Sequence, residues 1–96
     1  MDARRLNERA TEHANFDVRH RLCAELLRLS RTTGDNRVVV SPPPTHAELA
    51  ARISTHREAV TKILNALERD RLIARSQGAI VLTDVAALRR IVTHET

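Results

Sequence analysis

The sequence predicts a mainly α-helical domain with a small antiparallel β-sheet, and three observations carry that reading. Two Thr-x-x-Glu pairs, Thr45 with Glu48 and Thr55 with Glu58, stand ten residues apart. Each is spaced so that a hydroxyl and a carboxylate can satisfy orphan backbone N–H groups at a helix start. At roughly 100° per residue, Val60, Ile63, Leu64 and Leu67 fall within one arc of about 100°, the mark of a helix with one buried side. Finally, ARSQGAIVL places strand-forming residues on both sides of a turn at Ser76-Gln77-Gly78, the pattern of a hairpin. Ninety-six residues suit one small domain with a modest core and leave no room for a ligand-sensing domain as well.

Taken in order, Met1 to Ala14 (MDARRLNERATEHA) is helix-forming in composition, with a thin apolar row at Ala3, Leu6 and Ala10. It reads either as the end of a dimer-forming helix or as a segment that frays. Asn15 or Asp17 can cap the next helix, expected to run to about Thr32 with Val18, Leu22, Leu26 and Leu29 along one stripe, widened by Cys23 and Leu27. Gly34 supplies a stop after it, and Gly34-Asp35-Asn36 is loop chemistry. Arg37 to Val40 reads as a short β-branched strand, ended by Pro42-Pro43-Pro44. A short helix from about His46 to Arg52 follows, with Ala47, Leu49, Ala50 and Ile53 as its apolar contacts. A second, capped at Thr55, runs on to Leu67. The hairpin then reads as a wing, and Thr83-Asp84 as another helix start, with Val85, Leu88, Ile91 and Val92 facing inward. The tail from His94 should fray. This order is that of a winged helix-turn-helix domain over 15–96, preceded by 1–14.

The second helix of the central pair carries the chemistry. Opposite its apolar arc stand Arg57, Glu58, Thr61, Lys62 and Asn65, a mixture of guanidinium, carboxylate, hydroxyl, ammonium and amide. Arg or Lys can donate to guanine O6 and N7, Glu can accept from cytosine N4, and a helix has the right width for the major groove. Thr45, His46 and the helix start they occupy can hold a phosphate, as can His56 and the wing residues Arg75, Ser76 and Gln77. Sixteen Lys and Arg against twelve Asp and Glu give a net charge of +4, and Lys62 is the one cation of the sixteen that is not Arg. Such a balance suits phosphate and guanine contacts.

Other classes find little support. No glycine-rich phosphate loop, nucleophile motif or forced carboxylate pair is present, so an enzyme is not expected. His13, His20, His46, His56 and His94 lack the spacing of a zinc site, and no metal or cofactor is expected. Cys23 is the single cysteine and reads as a buried thiol. No apolar run of membrane-spanning length and no signal peptide is seen, which predicts a cytoplasmic protein with no membrane partner. The rival reading is a winged-helix interaction or dimerisation module, which would need an apolar outer face; residues 57–65 present a polar one.

The stretch PPTHAELAARISTHREAVTKILNALERDRLI, and within it THREAVTKIL, resembles the C-terminal DNA-binding domain of the Crp/Fnr family of bacterial transcription regulators. The likeness covers about Asp17 to Leu82. It implies that Arg57, Glu58 and Lys62 read a G/C-containing half-site, with Thr61 supplying the hydroxyl some members use. It also implies double-stranded DNA bearing an inverted repeat as partner, a homodimer joined through 1–14, and RNA polymerase as a further partner. The chain departs from the family pattern where Lys62 replaces Arg, and where Ser54 and Arg71 stand at positions commonly held by Gly. The family's cyclic-nucleotide-type sensor domain has no counterpart here.

Overall fold

Val18, Leu22, Cys23 and Leu26 line the buried side of helix α1, which covers 17–29 in the computed structural model; residues 17–76 and 78–93 are described. The elements that follow are β1 (Arg31–Thr32), β2 (Val38–Val40), α2 (His46–Arg52), α3 (Arg57–Arg69), β3 (Ile73–Ser76), β4 (Ala79–Leu82) and α4 (Val85–Thr93). The strands form one antiparallel sheet in the order β1-β2-β4-β3, so the expected class, helices around a small antiparallel sheet, is the one found. The expectations for 1–14, the Asn15 cap and the tail from His94 lie outside the described residues.

One cluster holds the helices together. Leu22 and Leu26 from α1, Leu49 from α2, Val60, Leu64 and Leu67 from α3, Ile73 from β3 and Leu88 from α4 are all essentially inaccessible to solvent. Each such side chain contributes about 1.5–3 kcal/mol relative to exposure. Val85, Ile91 and Val92 pack against the same cluster as partly buried residues, and the His20 ring N–H donates to the Val92 carbonyl at 2.5 Å, tying α4 to α1. The Glu25 carboxylate accepts from Arg28 at 2.6 Å and from Arg52 at 3.2 Å, which links α1 to the end of α2.

Several local expectations are corrected. The first helix stops at residue 29 rather than at Thr32, because Arg31 and Thr32 pair with Val39 and Val38 as an edge strand. The loop between them closes through Asn36 N–H to the Thr33 carbonyl (3.0 Å), and the left-handed residue is Asn36 (φ 65°), not Gly34. Asn tolerates that conformation better than most side chains, so Gly34 is not the stop. Arg37 falls just outside β2, and Ala47 faces solvent while Leu49, Ala50 and Ile53 are buried. The last helix does start at the expected Thr83-Asp84 pair, with Asp84 as the cap: its Oδ1 accepts from Ala87 N–H at 3.0 Å, while the Thr83 hydroxyl donates to the Arg71 carbonyl at 2.7 Å.

The corner between α2 and α3 corrects the second capping pair. Ser54 takes a left-handed conformation (φ 60°), and the N–H of Thr55 reaches back to the Ala50 carbonyl at 2.9 Å. This is the terminating bond of a helix whose first residue past the cap is left-handed. Thr55 therefore ends α2 instead of starting α3, and the start passes to His56, whose Nδ1 accepts from Ala59 N–H at 3.3 Å. The far end of α3 repeats the device, with Arg71 at φ 64° and Leu72 N–H on the Leu67 carbonyl at 2.9 Å.

Candidate nucleic-acid interface

Helix α3 is two-sided as the sequence predicts. Val60, Ile63, Leu64 and Leu67 are buried, whereas Arg57, Glu58, Lys62 and Asn65 are exposed and Thr61 is half-buried at the margin. What the sequence could not show is which exposed groups are already engaged. Thr61 Oγ1 lies 2.7 Å from Nδ1 of His46, the first residue of α2, so one predicted base-reading residue meets one predicted phosphate-binding residue across the helix pair. Arg75 on β3 donates to Asn65 Oδ1 at 3.0 Å and approaches Glu68 at 3.6 Å, which fastens the wing to α3. Neither contact could be read from spacing, since each joins residues that only the tertiary fold brings together.

The scaffold behind α3 is pinned from three sides. Thr45 and Glu48 form the full reciprocal cap of α2, with Glu48 N–H to the Thr45 hydroxyl at 3.0 Å and Thr45 N–H to the Glu48 carboxylate at 2.7 Å. Arg21 Nε donates to the Ile53 carbonyl at 2.9 Å, holding the corner against α1. On the wing, the Ser41 hydroxyl donates to the Gly78 carbonyl at 3.1 Å, and Gly78 takes the positive φ of 65° that the tight tip requires. Ser76 is exposed at the end of β3; Gln77, also expected to meet phosphate, lies outside the described residues.

Charge around the face follows from these placements. Glu58 is fully exposed, and its own backbone N–H, with smaller help from Arg57 and His56, holds its carboxyl below the ordinary carboxylate range. It is thus ionised and ready to accept. His56 Nδ1 serves two neighbours, accepting from Ala59 N–H while standing 3.4 Å from Glu58 Oε1. The cap needs that nitrogen bare and the ion pair needs it protonated, so the two contacts exclude one another. His46 is pushed below its usual value, first by burial and then by the Arg75 and Arg57 charges. Cys23 sits away from this face, and burial raises its thiol to about 11, which leaves it protonated and inert. Among the described residues there is no group of three or more His, Cys, Asp and Glu placed to hold a metal, and no helix long and apolar enough to cross a membrane.

Comparison with known proteins agrees with this architecture. A family model described as a Crp-like helix-turn-helix domain matches residues 20–91. The transcriptional regulator SdrP of Thermus thermophilus is 35% identical over 92 residues, which cover 92% of this chain and 43% of that protein, so the chain spans less than half of this relative. A CRP-family transcriptional regulator, also from Thermus thermophilus, is similar in structure with a TM-score of 0.67 at 29% identity, over 95% of this chain and 49% of its own. The CO-sensing protein from R. rubrum gives a TM-score of 0.78 over 90% of this chain and 41% of its own, at 22% identity, a likeness of fold alone.

Proposed function

The chain belongs to the Crp-like helix-turn-helix family, and from that premise we propose that it binds duplex DNA sequence-specifically as the DNA-binding part of a cytoplasmic transcription regulator. Helix α3 enters the major groove with Arg57, Glu58, Thr61 and Lys62 toward the base edges. Thr45, His46, His56, Arg75 and Ser76 border it as phosphate contacts, and Gln77 is assigned the same role from the sequence. One observation carries the reading: a 13-residue helix buries Val60, Ile63, Leu64 and Leu67 completely enough to be held rigidly, and leaves Arg57, Glu58 and Lys62 exposed on the opposite side. Rigid presentation matters because base-edge hydrogen bonds discriminate only when donor and acceptor are held in place.

Lys62 brings a point donor rather than a planar fork, so its preference for guanine is less strict than an Arg would impose. Two copies joined through 1–14 would read an inverted repeat, and RNA polymerase is the further partner that a transcription regulator of this family would meet. The test is selection of binders from a random duplex library at moderate salt. A two-fold repeat in the bound pool supports a dimeric reader, and a single enriched half-site supports the reading face without the dimer. Salt-sensitive binding with no enriched sequence would overturn the base-reading assignment in favour of an interaction module.

A further inference from the structure

Building on the proposed placement of α3 against the bases, we infer that His46 sets the hydrogen-bond polarity of Thr61, making it a specificity-determining residue that does not itself touch a base. The observation is the 2.7 Å contact between His46 Nδ1 and Thr61 Oγ1, which crosses from the first turn of α2 to the middle of α3 with both side chains half-buried. A threonine hydroxyl has one proton and two lone pairs. When the ring is neutral with its proton on Nε2, Nδ1 accepts and the hydroxyl proton points into the ring. Thr61 then offers DNA lone pairs only, which suits the amino groups of cytosine N4 and adenine N6. When the ring is an imidazolium, both nitrogens are donors, Nδ1–H donates to Oγ1, and the hydroxyl proton is released toward guanine O6 or N7 or thymine O4.

The charged groups facing the ring are Arg57 from α3 and Arg75 from β3; on α2 itself Glu48 is engaged with Thr45. Two cations and partial burial favour the neutral ring in the free chain. A phosphate drawn to Arg75 would offset the larger of those two charges and ease protonation, so binding and proton uptake are linked at this residue. His46 is thus a positioning residue for Thr61, and its effect on base preference is confined to one position.

The experiment is library selection with the full chain at about pH 8 and about pH 5.5, values that bracket an ordinary histidine, for the wild type, His46→Ala and Thr61→Val. The expected result is one half-site position whose ratio of cytosine or adenine to guanine or thymine changes by roughly tenfold between the two pH values in the wild type. His46→Ala should still select the rest of the half-site with no pH-dependent position, and Thr61→Val should show no preference there at either pH. A preference that ignores pH in the wild type, or that keeps its pH response in His46→Ala, overturns the inference while leaving DNA recognition intact. No enriched sequence at either pH overturns the DNA reading itself, and this inference with it. Nitrogen NMR of the free chain reads the contact separately: the Nδ1 signal of His46 should move in Thr61→Val, and an unmoved signal overturns the pairing.

Discussion

The two Thr-x-x-Glu pairs begin as the same local pattern and end in opposite uses. At Thr45 the chain arrives from the proline segment with its backbone extended (φ −67°, ψ 162°), so hydroxyl and carboxylate close on each other's N–H groups and both are committed to holding α2. At Thr55 the chain arrives from a left-handed Ser54, and the Thr55 N–H is already bound to Ala50. The reciprocal bond therefore cannot form, His56 takes over the cap, and the Glu58 carboxylate is left fully exposed and ionised. A short loop thus decides whether a glutamate closes a reciprocal cap, as Glu48 does, or stays on the exposed side of its helix beside its own backbone N–H and His56, as Glu58 does.

The largest effect that would separate the two sites is on stability. Thr45→Ala should lower it by about 1 kcal/mol, within the range for loss of an N-cap hydroxyl, whereas Thr55→Ala should stay within about 0.5 kcal/mol because its side chain caps nothing. Urea denaturation of both variants checks this, and equal losses would break the distinction. The left-handed residues give the next effect. Arg71→Gly should raise stability by up to about 1 kcal/mol by relieving the strain of a positive φ. In a domain this small that corresponds to a rise of roughly 4–8 °C per kcal/mol in melting temperature. Ser54→Gly should act in the same direction at the corner that withholds Thr55; an unchanged or lower melting temperature in either variant would show that its left-handed position carries no strain.

The smallest effect concerns the acid side of the α1–α2 tie. Hydrogen bonds from Arg28 first, then the charges of Arg28 and Arg52, hold the Glu25 carboxyl below its ordinary value of 4.5. A lowered folded value means its contribution is present above about that value and fades as the pH falls through the lower folded one. Glu25→Gln should therefore lower stability at neutral pH, where that contribution is fully present, and the gap from wild type should close as the pH falls below 4.5, as thermal unfolding across that range will show.

The same contrast explains what was legible beforehand. Periodicity exposed the inward rows of α1 and α3 and the two faces of α3 because those patterns are local to one element. The hairpin was legible from its turn residues, and the start of the last helix from the Thr83-Asp84 pair, of which Asp84 supplies the cap. The short strand Arg31–Thr32 was hidden because two exposed residues carry no alternation; partner pairing alone makes them a strand. Likewise, the chemistry of Thr55 and Glu58 was visible, but the competing claim of Ala50 on the Thr55 N–H depends on how the corner is folded. The contacts His46 to Thr61 and Arg75 to Asn65 join separate elements and carry no sequence signal at all.

The most direct test sets Glu48→Ala beside Glu58→Ala, with unfolding and duplex selection measured on each. Glu48→Ala should destabilise the chain while selecting the same sequence, and Glu58→Ala should keep its stability while losing discrimination of about 1–3 kcal/mol at one base pair. Retained discrimination in Glu58→Ala, or a loss of stability there equal to that of Glu48→Ala, would contradict the division of labour between the two glutamates.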